Sequence, residues 1–107
     1  MRAAATAVSG SGPAYAFLLA EAMAAAGAAA GLPAALSARI ARATVAGAGA
    51  LMDQSELDAA TLRQNVTSPG GTTAAALAVL MRPDTGFGPL LTEAIAAATK
   101  RGKELAG

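Results

Sequence analysis

Alanine sets the first limit on this chain: 33 of its 107 residues are Ala, so 33 of its 58 apolar side chains carry only a methyl group. Alanine is the best helix former and a poor filler of a core. A chain built this way forms helices readily and packs them closely. It is short of large apolar surface to bury, and small domains are already marginal on that count. Pairing with a second copy supplies the missing core. At 107 residues there is room for one domain, taken here as residues 1–107, and not for two.

The remaining composition excludes several classes of function. There is no Cys and no His, which removes disulfides, the usual zinc sites, thiol catalysis and imidazole acid–base chemistry. No metal site is expected. The absence of Cys fits a reducing compartment, and the cytoplasm is the expected location. Eight basic residues against seven acidic ones give a net charge of +1, and the basic residues are scattered, so no nucleic-acid partner is expected. Met1-Arg2-Ala3-Ala4-Ala5 lacks the apolar run of a signal peptide and reads as an added start or a truncation point. From Ala22 to Ser37 the chain is uncharged, with Gly27 and Gly31 in a G-x-x-x-G pair. Pro33 interrupts that stretch and alanine dominates it, so it reads as a soluble helix pair and not as a membrane span.

Helix start and stop signals divide the sequence into about five helices, an all-α fold. Ser11-Gly12-Pro13 starts the first, which runs to about Ala30. Gly31-Leu32-Pro33 separates it from a second that ends near Asp53. The second carries a stripe of Leu36, Ile40 and Leu51, and its Gly47 and Gly49 imply close approach by a neighbouring helix. A short third helix is expected from Asp58 to Asn65. Ser68-Pro69-Gly70-Gly71 then breaks the chain before a fourth helix from Thr72 to about Arg82. After Pro83-Asp84-Thr85-Gly86 the last helix spans about Pro89 to Leu105, with Leu91, Ile95, Ala98 and Leu105 on one face. Lys100, Arg101 and Lys103 near its end suit the helix dipole. No run alternates with period two, so strands are not expected.

Val66-Thr67-Ser68-Pro69-Gly70-Gly71-Thr72-Thr73 is the most informative stretch. Its glycines allow a tight turn with open backbone, and the helix that follows offers unpaired N–H groups and a partial positive charge. Ser68, Thr72 and Thr73 add hydroxyls. These residues can form a cradle for a small carboxylate without any cationic side chain. The commoner reading of such residues alone is a Pro-Gly turn with a threonine cap. Ser9-Gly10-Ser11-Gly12-Pro13 is a second Gly/Ser loop at a helix start. It lacks the spacing and the preceding strand of a dinucleotide fingerprint. Glu21, which shares a face with Phe17 and Leu18, is either a partly buried acid or a pairing group across a helix interface. Glu56 lies in a polar connector with Asp53, Gln54, Ser55 and Asp58, a cluster that is ordinarily solvated. Tyr15 is either a hydrogen-bond donor into a site or a packed aromatic with a wet tip.

Taken together, these segments resemble pyrroline-5-carboxylate reductase. Gly10-Ser11-Gly12-Pro13-Ala14-Tyr15 is similar to the family's first helix start after its nucleotide-binding domain, and Gly31-Leu32-Pro33 to the helix break that follows. Thr44 to Ala48 resembles a Thr-x-x-Gly-Ala segment. Residues 66–73 match the Ser-Pro-Gly-Gly-Thr/Ala-Thr segment without a gap. Glu93-Ala94, Arg101 and Glu104-Leu105 also fit, and the resemblance covers essentially the whole chain. Ala3 departs from it, standing where the family often has an acidic residue.

The resemblance implies a helical part that interlocks with its partner into a homodimer, or a higher oligomer. The complete enzyme reduces 1-pyrroline-5-carboxylate to proline with NADPH or NADH, the last step of proline synthesis. It implies that Ser68, Gly70, Gly71, Thr72 and Thr73 surround the substrate, with the Thr73 hydroxyl reaching the ring nitrogen. It puts Glu56 near the nicotinamide and substrate, with water or Glu56 as the indirect proton source, and Ser11 and Gly12 beside the nicotinamide. Because no strand–Gly-rich-loop–helix unit is present, this chain alone is expected to bind no cofactor and to be inactive. The alternative is a helical oligomerisation module that has kept no ligand binding.

Overall fold

The computed structural model describes all residues from 1 to 107 and contains helices and turns with no strand. In chain order these are α1 (Arg2–Ala5), a π-helical segment (Thr6–Gly10), α2 (Gly12–Ala29) and α3 (Ala34–Gln54). Then come α4 (Ala59–Asn65), α5 (Thr72–Leu80) and α6 (Phe87–Ala106). The five helices expected from the sequence are α2 to α6, with ends displaced by a few residues. The last begins at Phe87, because Gly86 caps it and the Leu90 amide reaches the Gly86 carbonyl at 3.2 Å. Pro89 then sits in the first turn, where a missing N–H costs nothing.

The N-terminal segment differs from the sequence reading. Residues expected to form a Gly/Ser loop continue α1 as a π-turn, closed by the Ser11 amide on the Thr6 carbonyl at 2.9 Å. Three residues favour this. The Ser9 hydroxyl donates to the Ala5 carbonyl at 2.9 Å, and a Cβ on Gly10 would stand only 3.1 Å from the Thr6 methyl. Pro13 has no N–H to carry a regular helix across the joint, so the register shifts there.

The chain divides into two compact units, residues 12–58 and residues 1–11 with 59–107. In the first, α2 and α3 form a helical hairpin. Its corner follows a Schellman pattern: the Leu32 amide bonds the Gly27 carbonyl at 3.1 Å, the Gly31 amide bonds the Ala28 carbonyl at 3.0 Å, and Gly31 has φ +117°. Next to the corner the two helices meet through small residues. Ser37 is buried and its hydroxyl donates to the Ala24 carbonyl at 2.7 Å. A Cβ on Gly27 would collide with that hydroxyl. The close helix contact within the hairpin is therefore at Gly27. Gly47 and Gly49 do not supply it, since a Cβ on either meets nothing within 4 Å.

Ser37 and Ala41 are the buried residues of α3, and both are small. Leu36, Ile40 and Leu51 remain 36%, 47% and 53% exposed. On α2, Phe17 is 69% exposed, and Glu21 is exposed as well, not buried. The hairpin thus spends its small residues on itself and leaves its large apolar stripe without cover.

In the other unit α1 and the π-turn pack on α6, where a Cβ on Gly102 would meet the Ala3 methyl at 3.5 Å. Ala7 is the buried residue of that contact. Leu80, Met81, Phe87 and Leu91 are exposed here too. Across both units the buried residues are Ala7, Ser37, Ala41 and Gly86, and no large side chain is fully buried. No helix is long and apolar enough to cross a membrane.

Candidate functional site

The segment from Arg63 to Ala74 builds its geometry from the backbone upward. Helix α4 ends at Asn65, leaving its last carbonyls without helical partners. The Thr67 hydroxyl closes one of them, donating to the Arg63 carbonyl at 2.6 Å, and the Thr67 amide takes the Gln64 carbonyl at 3.1 Å. Ser68 to Gly71 then form a tight turn, with the Gly71 amide on the Ser68 carbonyl at 3.0 Å. Pro69 stands in the second position and Gly70, at φ +72°, in the third, which is the residue pattern of a type II turn. Pro fixes φ near the required value and Gly alone adopts the positive φ without strain.

Gly71 is the N-cap of α5, extended at φ −86° and ψ −174°, and no side chain caps the helix. Thr73 is therefore the second residue of α5 and not its cap, which excludes the threonine-cap reading. The first amide to close back is that of Ala75, on the Gly71 carbonyl at 3.2 Å. The N–H groups of Thr72, Thr73 and Ala74 precede it and have no helical carbonyl to reach. The hydroxyls of Thr44, Thr92 and Thr99, within helices, bond the carbonyl four residues back. A first-turn threonine has no helical carbonyl at that distance, so Thr72 and Thr73 keep their hydroxyls for other partners. Ser68 and Thr72 are exposed and Thr73 is half-buried. One short segment thus holds three amide donors and three hydroxyls around the positive end of a nine-residue helix. The amide of Gly71 is not among them, because the turn consumes it.

The other sequence-identified residues lie elsewhere. Glu56 is exposed on the connector after α3, where the Ser55 hydroxyl accepts the Leu57 amide at 3.1 Å. It belongs with Gly12 to the unit of residues 12–58, whereas Ser11 and the Ser68–Thr73 segment belong to the other unit. Ser11 and Gly12 are half-buried at the joint between the π-turn and α2. A Cβ on Gly12 would meet nothing, so this glycine is not required by crowding within the chain. No strand precedes this joint, and the helical backbone from Thr6 to Gly10 is not a phosphate-binding loop. No group of acidic residues could hold a metal ion.

Thr67 is the residue that reading the sequence for chemistry passed over. Its signal was a hydroxyl four residues after Arg63, at the point where the helix ends.

Each unit carries an open hollow of its own. One, of about 580 Å³, lies on the hairpin and is lined by Phe17, Glu21, Arg42 and Val45 among others. The other, of about 560 Å³, is lined by Arg63, Leu77, Met81, Phe87 and Pro89 among others. Neither is lined by Ser68–Thr73. Both are shallow apolar surfaces of the sort a partner helix covers.

Comparison with known proteins places the chain in a family. Residues 1–105 match the family model described as pyrroline-5-carboxylate reductase dimerisation. The chain is 47% identical over 100 residues to the pyrroline-5-carboxylate reductase of Synechocystis sp., covering 94% of this chain and 37% of that protein. It is 47% identical over 101 residues to the enzyme of Pseudomonas aeruginosa, covering 94% and 36%. The crystal structure of Plasmodium falciparum pyrroline carboxylate reductase with NADP bound superposes with a TM-score of 0.88 at 33% identity. That match covers 99% of this chain and 40% of the other. The chain thus spans somewhat over a third of the length of the relatives it matches. By the extent of these matches, and by its helices and its Ser68–Thr73 turn, the chain belongs to the pyrroline-5-carboxylate reductase dimerisation family.

Proposed function

We propose that this chain is the dimerisation and substrate-carboxylate-binding part of a pyrroline-5-carboxylate reductase, an oxidoreductase that reduces 1-pyrroline-5-carboxylate to proline with NADPH or NADH. The observation that carries the binding half is the type II turn at Ser68–Gly71 feeding α5. It leaves the amides of Thr72, Thr73 and Ala74 unpaired, beside hydroxyls that no cap consumes. Amide donors fixed before the ligand arrives need no rearrangement to hold a carboxylate. We assign the Thr73 hydroxyl to hydrogen-bond the ring nitrogen and hold the ring in one orientation. Glu56 is the acid we assign near the substrate as an indirect proton source, and Ser11 and Gly12 are assigned beside the nicotinamide. The dinucleotide itself is left to a domain outside these residues.

Self-association rests on the exposed apolar faces. Phe17, Leu36, Ile40 and Leu51 on the hairpin, with Met81, Phe87 and Leu91 on the other unit, form more uncovered apolar surface than isolated residues would. A second copy, interlocked with the first, is the partner we assign to them. The cytoplasm is the compartment proposed.

The carboxylate reading is tested by titrating the chain with L-proline and with pyrrolidine, the same ring lacking the carboxylate. L-proline is expected to shift the amide NMR signals of Thr72, Thr73 and Ala74, and pyrrolidine at equal concentration to leave them in place. Equal responses to both, or to neither, contradict the cradle and favour an oligomerisation module that binds no ligand.

A further inference from the structure

We propose that Thr67 is a positioning residue for the Ser68–Thr73 cradle, its hydroxyl locking the turn to the end of α4 so that the α5 amides converge on one carboxylate. This rests on the reading of those amides as a carboxylate site. Within a helix the amide four residues on would pair with the Arg63 carbonyl, and here that amide is Thr67's own. It turns instead to Gln64 at 3.1 Å. The remaining backbone donor to Arg63, the Val66 amide, is long at 3.3 Å. The Thr67 hydroxyl fills the place at 2.6 Å, in a half-buried setting. Thr44, Thr92 and Thr99 make similar bonds, but to carbonyls inside helices, where a helical amide already serves. Among these four threonines, the Thr67 hydroxyl is the one that stands in for a missing helical partner.

The consequence for the site follows from what is already rigid. From Ser68 to Gly71 the turn is closed on itself by the Gly71 amide, and its shape is fixed by Pro69 and by Gly70 at φ +72°. A turn that is internally fixed can still swing as a body about the residue that precedes it. That residue is Thr67, held by both its amide and its hydroxyl to the last turn of α4. Removing the hydroxyl leaves the turn intact and frees the swing. The loss then falls on the alignment of Ser68 with the amides of Thr72 to Ala74.

The test is the affinity of the chain for L-proline, read from the amide signals of Thr72, Thr73 and Ala74, in Thr67→Val, Thr67→Ser and Thr44→Val. Valine keeps the shape of threonine without the hydroxyl, serine keeps the hydroxyl, and Thr44 makes an equivalent bond on α3. Thr67→Val is expected to weaken L-proline at least fivefold, Thr67→Ser to stay within twofold of the unsubstituted chain, and Thr44→Val to leave affinity unchanged. Unchanged affinity in a folded Thr67→Val chain overturns the positioning role and leaves the cradle standing. If valine prevents folding, serine decides: a fivefold loss in folded Thr67→Ser overturns the hydroxyl account. An unsubstituted chain that shows no response to L-proline overturns the cradle, and the role of Thr67 with it.

Discussion

Thr73→Ala, in a complete reductase carrying this chain, is expected to lower turnover at least tenfold, about 1.4 kcal/mol in the barrier, with little change in stability. The two halves of that result have separate causes. Gly71 is the N-cap of α5 and no side chain caps the helix, so removing the Thr73 hydroxyl takes away no cap. Thr73 is half-buried, so losing its hydroxyl and methyl costs about 1 kcal/mol at most, and alanine, the better helix former, offsets part of that. In the proposed site the hydroxyl serves the incoming ligand, and its loss is expected to leave the ring less well oriented. Thr72→Ala is the comparison, because its amide still faces the carboxylate after its exposed hydroxyl is gone. It is expected to be much milder. Small and equal effects from the two substitutions would remove the assignment of Thr73 to the substrate.

The largest loss of stability is expected at Gly86. This buried glycine closes the corner between α5 and α6, its amide on the Arg82 carbonyl at 3.0 Å. A Cβ there would stand 2.6 Å from both the Arg82 amide nitrogen and its carbonyl oxygen, and would also collide with the Leu80 carbonyl. All three are backbone atoms, so no side chain can rotate out of the way. Gly86→Ala must rebuild the corner, and the start of α6 moves with it. The cost is about 3 kcal/mol or more. In a domain of this size that corresponds to a fall in Tm of roughly 12 °C or more. Gly88→Ala is the control, since a Cβ on Gly88 meets nothing within 4 Å. A Gly86→Ala protein melting within 3 °C of the unsubstituted chain would show that the corner is not built this way.

How much of this was legible in the sequence depended on which residues carried the signal. Gly31-Leu32-Pro33 and Pro83 to Gly86 marked helix ends because positive φ and a missing N–H act locally, and the structure ends helices at both. Ser68-Pro69-Gly70-Gly71 announced its turn for the same reason, and the turn type follows from Pro69 and Gly70 alone. The π-turn at Thr6–Gly10 could not be read, because a Gly/Ser stretch looks like a loop whether or not a helix passes through it. The sequence marks Gly47 and Gly49 as points of close approach by a neighbouring helix, and within the hairpin that approach is at Gly27. In a helix rich in alanine, small residues cover every face, and only the opposing Ser37 hydroxyl singles out Gly27. The stripe of Leu36, Ile40 and Leu51 was correctly seen as one face, but its direction was not in the sequence. Which face meets a partner is decided by what else is present.

That uncovered stripe is the basis of the central claim, that the chain completes its core with a second copy of itself. Size-exclusion chromatography with light scattering at micromolar concentration measures this directly. The expected result is a folded helical species of twice the 10.3 kDa chain mass, or a higher even multiple. A folded, helical monomer at that concentration would contradict the account.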